Sequence, residues 1–257
     1  MKIYLFILYT LISFFCVEGH AEEKPEAVDT AQVFLTANEA YVNSDFMAAV
    51  SCYENIISSG IINGDIFYNL GNSYLKTGET GKAILNYRRA EFFIPRDEDL
   101  QANLKYAYGL VLDNIECKEL VSFLGDFCFW YAKLNVYELI SFFLALNFLF
   151  WSLIAIRLFY KGEILKTILY LNIFLLLVIG PSAGLKIYRH YFIKKGVVTA
   201  KEILVRSGRT INGTVLFKLH DGTEFEWVEE NGGWVKVRLC DGKKGWVQRK
   251  VVGCIML

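Results

Sequence analysis

The chain has 257 residues, of which 54% are hydrophobic and 16% aromatic, and its 27 basic side chains equal its 27 acidic ones. That apolar fraction is too high for an ordinary soluble protein. A chain without excess positive charge lacks the basic surface that nucleic acid requires, so we expect no DNA or RNA partner.

The first 21 residues predict a secretory signal peptide. Lys2 precedes an apolar run from Ile3 to Val17, and Gly19-His20-Ala21 supplies the small residues of a cleavage site. The alternative is a retained anchor helix, but the run is shorter than the ~20 residues that cross a bilayer. We therefore expect the part of the chain that follows to be exported.

The cysteines that remain after cleavage are odd in number, so at least one is free or paired between chains. An oxidising compartment permits disulfides. The local candidate pairs are Cys117 with Cys128 and Cys240 with Cys254.

Residues 64–97 contain a helical repeat pattern. Within a 34-residue frame that starts at Gly64, the expected small, aromatic, apolar and proline positions are Phe67, Leu70, Gly71, Tyr74, Ala83, Tyr87, Ala90 and Pro95. This pattern is that of the tetratricopeptide repeat (TPR). A weaker copy covers residues 30–63, and a single helix over 98–113 caps the array. We predict an all-α TPR solenoid over residues 22–114, with the small residues Gly71 and Ala83 allowing close helix contact.

The resemblance to TPR proteins implies a concave face, lined by the first helix of each repeat, that binds partner proteins. Asn38 and Asn69 match two positions of the TPR carboxylate clamp, which holds a peptide C-terminus, but Phe34 replaces the basic residue of that clamp. We favour a more general protein-docking groove. Its predicted residues are Phe34, Asn38, Tyr41, Asp65, Tyr68, Asn69, Asn72 and Lys76.

Aromatic and apolar residues recur at helical spacing over residues 115–135. They predict a linker helix at a membrane interface, or else additional packing surface for the repeats. Asn135, three residues before Glu138, predicts an N-cap for the next helix.

Two apolar segments, 136–156 and 167–185, match the ~20 residues that cross a bilayer core. Gly180-Pro181 is expected to kink or fray the second segment near its end. The two segments predict a transmembrane hairpin.

An even number of spans returns the chain to the exported side. Residues 157–166 carry three basic groups and are predicted to form the cytoplasmic turn. The basic residues Lys186, Arg189, Lys194 and Lys195 follow the second span and conflict with the rule that positive charge stays inside. We give the signal peptide precedence and predict that both soluble parts are exported.

Residues 196–257 alternate apolar and polar side chains between Asn-Gly and Asp-Gly turns, which predicts a barrel of about five strands. The runs ILVRSGRT (203–210), GGWVKV (232–237) and DGKKGWV (241–247) resemble the bacterial SH3 module. Leu204 and Arg209 replace its usual asparagine and proline.

Three tryptophans of this module, Trp227, Trp234 and Trp246, are candidates for a ligand groove. The alternative is that at least two of them fill the barrel core. We favour the second interpretation, in which at least two of these tryptophans belong to the core.

The order of TPR repeats, two spans and an SH3 module, with ANLKYA (102–107) and LFKLHDGTEF (216–225), is similar to the BatE family of the Bacteroides aerotolerance operon. The resemblance implies a bacterial inner-membrane protein with periplasmic domains. It also implies a link to other Bat membrane proteins and to oxygen or envelope stress. We predict a multidomain scaffold for partner proteins, with peptidoglycan binding or sensing through the SH3 module as the alternative.

Residues for catalysis are few. After cleavage only His190 and His220 remain, and neither belongs to a motif with a nucleophile and an acid. No zinc-ligand spacing or phosphate-binding loop is present in the sequence. We therefore predict a non-enzymatic protein without metal or cofactor.

Overall fold

A computed structural model describes residues 30–115, 131 and 134–256 of the chain. The predicted signal peptide, most of the predicted interfacial helix and the candidate pair Cys117–Cys128 lie outside the described residues.

The first described region is helical. Its helices are α1 (Thr30–Val42), α2 (Phe46–Ser58), α3 (Gly64–Lys76), α4 (Thr80–Phe93) and α5 (Glu98–Gly109). Each helix packs against the next one along the chain, and the short turns make neighbours antiparallel. Side chains of Asp45, Asn63 and Asp97 accept hydrogen bonds from backbone amides at the starts of α2, α3 and α5.

Within this region the same hydrogen bond occurs twice, 34 residues apart. The hydroxyl of Tyr53 donates to Asn38 Oδ1 at 2.6 Å, and the hydroxyl of Tyr87 donates to Asn72 Oδ1 at 2.8 Å. The ring of Tyr87 lies so close to Gly71 that a Cβ there would collide with it. Gly71 therefore permits the close contact of α3 and α4 that the sequence predicts.

The helix predicted over residues 98–113 is shorter in the structure, where α5 ends at Gly109. The residues that follow contact the β-sheet region instead: Val111 packs against Gly222, and Asp113 accepts a hydrogen bond from the backbone amide of His220. These tertiary contacts replace the last helical turn.

The middle region is a hairpin of two long apolar helices, α6 (Val136–Phe159) and α7 (Glu163–Phe192). Both are long and apolar enough to cross a membrane. They pack along one side through Leu139, Leu146 and Ile179, while most of their other apolar side chains are exposed. This exposure suggests membrane anchoring.

The N-cap predicted at Asn135 is confirmed: its side chain accepts a hydrogen bond from the amide of Glu138, and the Glu138 side chain accepts one from the amide of Asn135. The second apolar helix does not fray at Gly180-Pro181, since α7 continues past Pro181 to Phe192. The connection between the helices is only residues 160–162, not 157–166. A helix pairs its own backbone N–H and C=O groups by hydrogen bonds, which a membrane-spanning segment requires. This favours helices longer than the predicted spans.

The last region is an antiparallel sheet. Its strands are β1 (Lys195–Val198), β2 (Glu202–Arg206), β3 (Val215–His220), β4 (Glu224–Asn231), β5 (Trp234–Arg238), β6 (Lys244–Gln248) and β7 (Val252–Cys254), in the order β3-β2-β6-β5-β4-β1-β7. A 3₁₀ turn covers Arg249–Val251. The described sheet has more strands than the five or so expected, because β1 and β7 are short and lack clear alternation.

The candidate pair Cys240–Cys254 does not form. Cys254 is a free thiol, as is Cys52, whereas Cys240 is disulfide-bonded. Cys240 follows β5 and Cys254 ends β7, and in the sheet order β4 and β1 lie between these strands. Since neighbouring strands are about 4.8 Å apart, the two positions are held too far apart for a disulfide.

The helical region packs directly on the sheet through glycines. A Cβ at Gly81, in the first turn of α4, would collide with the carbonyl oxygen of Val198, and one at Gly253 would collide with Leu85. Gly222 lies in the same interface with a positive φ of 90°, a conformation that favours glycine. The backbones of the two regions are therefore in close contact.

Glu224, at the start of β4, joins two parts of the helical region. It pairs with Arg88 Nε at 2.8 Å and accepts a hydrogen bond from the Tyr108 hydroxyl at 2.5 Å. Burial lowers the pKa of Arg88, but Glu224, Tyr108 and Glu91 together outweigh this effect and the pKa is raised overall. Arg88 thus stays charged in the interface.

Contacts also join the helical region to the start of the apolar hairpin. Arg96 pairs with Glu138, and the ring of Phe92 meets that of Tyr137 at 6.2 Å. The helical region precedes the hairpin, the sheet follows it, and the two regions contact each other. The start of α6 and the end of α7 therefore lie on the same side.

The collision at Gly81 predicts the sign of a mutational effect. By helix propensity alone, Gly81→Ala would stabilise α4. Because the new methyl group would clash with Val198, we expect the free energy of unfolding to fall by about 1–3 kcal/mol. The control is Gly109→Ala in α5, where a Cβ has no neighbour within 4 Å and should stabilise. Calorimetric unfolding in detergent measures both, and an unfolding midpoint that Gly81→Ala leaves unchanged or raises would contradict the interface.

Asp113 predicts a pH dependence. Burial raises its pKa, but hydrogen bonds from Thr223 and His220 outweigh burial and lower the pKa overall. Its stabilisation is therefore present at neutral pH and is lost as the pH falls below the ordinary value of 3.8. We expect Asp113→Asn to lower the free energy of unfolding by about 1–3 kcal/mol at pH 7 and to change it little at low pH. Denaturant unfolding at several pH values tests this, with the exposed Asp99→Asn as the control expected to change little.

Candidate functional site

The residues predicted for the helical groove lie on α1 and α3, and hydrogen bonds join them into one face. Asn69 Nδ2 donates to Asn38 Oδ1 at 3.4 Å. Asn103 Nδ2, on α5, donates to Asn72 Oδ1 and to the Tyr68 hydroxyl, both at 3.0 Å. We call this surface the Tyr–Asn face; it consists of Asn38, Tyr41, Tyr68, Asn69, Asn72 and Asn103.

The other predicted groove residues lie around this face. Phe34 packs its ring edge-on against Tyr53 and is half-buried, as is Tyr41, whose ring meets Phe46 at 5.4 Å. Asp65 and Lys76 are exposed, in the first and last turns of α3. The structure therefore brings the asparagine and tyrosine side chains together and leaves Asp65 and Lys76 at the two ends of α3.

The arrangement does not favour a carboxylate clamp. Asn38 Oδ1 already accepts hydrogen bonds from Tyr53 and Asn69, and the Asn69 amide donates to Asn38. Burial raises the pKa of Tyr53 to about 12, although the hydrogen bond with Asn69 lowers it, so the hydroxyl remains a donor. The asparagines hold neighbouring helices together, and Phe34 supplies no charge for a carboxylate.

Trp227 is not part of an accessible groove, which corrects that part of the prediction. It is 8% exposed and belongs to the core of the sheet region, where its ring stacks on Phe225. The guanidinium of Arg249 lies 4.8 Å from the ring centroid of Trp227. Phe225 and Trp227 both point inward from β4 because they are two residues apart.

Trp234 and Trp246 are half-buried and lie on the outer face of β5 and β6. Arg209 and Lys236 place their cationic groups 5.3 and 5.7 Å from the centroid of Trp246. Next to them is an open cleft, and we call it the cationic cleft. It is lined by Arg209, Thr210, Ile211, Gly233, Trp234, Gln248, Arg249 and Lys250.

Sequence reasoning missed the cations of this cleft. Arg209 stands where the bacterial SH3 module usually has proline, and Arg249 and Lys250 belong to no motif. The alternation in β5 does place Lys236 on the same face as Trp234, which was the available indication. The approach of β6 and of the loop before β3 is a tertiary feature that the pattern does not contain.

Comparison with known proteins agrees with this geometry. Residues 204–253 match the bacterial SH3 domain family. The match runs from β2 to β7 and includes all three tryptophans. It suggests protein or peptidoglycan binding. No curated protein matches the chain.

The different positions of the tryptophans predict different mutational effects. Trp227→Ala removes a buried ring and should destabilise the SH3 domain by about 3–5 kcal/mol. Trp234→Ala, on the outer face, should cost less than about 1 kcal/mol. Calorimetric unfolding of the full-length protein measures both, and comparable losses in the two variants would place Trp234 in the core.

Proposed function

We propose that this protein is a membrane-anchored, non-enzymatic scaffold with two docking surfaces on one side of the membrane. The main support is the packing of the SH3 domain against α4 and the segment after α5, which leaves two other surfaces accessible. These are the Tyr–Asn face, built largely from α1 and α3, and the cationic cleft on the SH3 domain. The apolar hairpin is the anchor.

The helical region is proposed to be a TPR domain that docks a partner protein. Its support is the 34-residue period of the sequence together with the paired hydrogen bonds of Asn38 and Asn72, which recur with that period. The half-buried tyrosines and amides suit recognition of an extended peptide, because they offer both apolar area and hydrogen bonds.

The location is proposed to be the bacterial inner membrane, with both soluble parts in the periplasm. The predicted signal peptide supports export, and the contact between the soluble parts requires both to be on one side. The resemblance to the BatE family supports a place among Bat-type membrane proteins of aerotolerance or envelope stress. Peptidoglycan binding through the SH3 domain is the alternative, and it rests on the family match.

Site-specific crosslinking in native membranes tests the docking role of the Tyr–Asn face. A photo-crosslinking amino acid replaces Asp65, which is exposed at the start of α3 beside this face. The control replaces Ser51, which is exposed on α2, a helix that contributes no residue to the face. We expect a specific protein adduct from position 65 and little from position 51. Equal adducts from both positions, or none from position 65, would refute the docking role of this face.

A further inference from the structure

We infer that the cationic cleft of the SH3 domain binds an acidic, extended peptide segment of a partner protein. This inference rests on the proposed docking role of the SH3 domain and names the class of ligand. Its basis is the excess of positive charge beside two half-exposed tryptophans.

The cleft holds cations whose charge is largely uncompensated. Within the described parts of the chain, Arg209, Lys236 and Lys250 form no ion pair with a carboxylate, whereas Arg249 pairs with Glu230 at 3.4 Å. Arg209, Arg249 and Lys250 line the cleft and Lys236 lies beside it. The carboxylates near them are Glu230 and Glu229, which is opposite Lys236 in the β4–β5 ladder, so four cations outnumber two carboxylates. A ligand that brings several carboxylates would be attracted by this field and could form charge-assisted hydrogen bonds.

The tryptophans position these cations. Arg209 and Lys236 both lie over the ring of Trp246, and Arg249 lies over the ring of Trp227. A guanidinium or ammonium group on an aromatic ring is held in place by cation–π attraction, so less side-chain freedom is lost when a ligand binds. The tryptophan rings therefore make the positive surface more rigid than a row of free lysines.

The same contacts favour a peptide over a glycan. A sugar ring stacks on a bare aromatic face, but two cations lie over Trp246. Trp234 and the exposed Ile211 offer apolar area next to the cations. The matching ligand is an extended segment in which acidic residues flank an apolar one.

The cleft is also accessible without separation of the soluble parts. The turn at Asp221–Gly222, just before β4, contacts α4, whereas Gly233 of the cleft follows the other end of β4. A strand of this length spans about 27 Å. The Gly233 edge of the cleft is therefore far from the contact at Gly222, whereas Arg249, at another edge, donates a hydrogen bond to the carbonyl of Val252, next to the interface residue Gly253.

Binding of a labelled peptide tests the inference. The probe is a short fluorescein-labelled peptide of alternating glutamate and alanine around one leucine, added to the full-length protein in detergent without reductant and followed by anisotropy. The control probe has glutamine in place of each glutamate. We expect binding of the acidic probe alone, and weaker binding at higher salt because exposed charges are screened.

Matched variants locate the site. Arg209→Gln with Lys236→Gln should weaken binding about tenfold, since both variants remove charge-assisted contacts. Lys244→Gln is the control, because Lys244 is exposed at the opposite end of β6 from Gln248 and the cleft. An unchanged thermal unfolding midpoint shows that the double variant is folded. Equal affinity for the two probes, or equal loss in the control variant, would overturn the inference.

Two further measurements separate the alternatives. If the protein sediments with purified peptidoglycan sacculi, the double variant does not, and the acidic probe does not bind, the cleft binds cell wall and the acidic-peptide inference is wrong. A photo-crosslinking amino acid in place of Thr210, at the edge of the cleft, tests docking without assuming a ligand class. A protein adduct there, combined with no binding of the acidic probe, would refute the ligand class but leave the docking role intact. The absence of both would refute both.

Discussion

The close contact between α4 and the SH3 domain is the interaction on which the arrangement of the molecule depends. Asp221 and Gly222 of the β3–β4 turn lie against the first turn of α4 at Gly81. Glu79, the N-cap residue of α4, makes no capping hydrogen bond with its side chain. The half-buried carboxylate of Asp221 thus lies where the dipole of α4 favours negative charge. Burial raises the pKa of Asp221, and the backbone amide of Gly81 opposes that rise.

This contact constrains the apolar hairpin. The helical region precedes the hairpin and the SH3 domain follows it, so their direct packing requires both ends of the hairpin to lie on one side. The basic residues after the second apolar segment conflicted with that topology in the sequence. In the structure the ammonium of Lys186 donates to the carbonyl oxygens of Tyr131 and Leu134. Lys186 thus joins α7 to the segment before α6. This structural role is independent of the rule that positive charge stays on the cytoplasmic side of the membrane.

The two proposed docking surfaces differ in chemistry because their polar groups have different partners. On the Tyr–Asn face, Asn38 and Asn72 each accept two hydrogen bonds from neighbouring side chains. That face is neutral and internally connected. In the cationic cleft, Arg209 and Lys236 are supported by an aromatic ring rather than by carboxylates. A partner of the first surface therefore meets apolar area and amides, and a partner of the second meets positive charge.

The sequence by itself determined the local elements, because their causes are local. The 34-residue repeat frame placed the first helices, the length of two apolar segments placed the hairpin, the spacing of Asn135 and Glu138 placed the cap of α6, and the Gly-Trp runs indicated the SH3 domain that the family match supports. Only the tertiary structure decided what depends on residues far apart in the chain. It ended α5 at Gly109, kept Cys254 free, and placed Trp227 inside and Trp246 outside the barrel. Alternation along a strand defines two faces, but which face becomes the core depends on the neighbouring strands and on the helix packed against them.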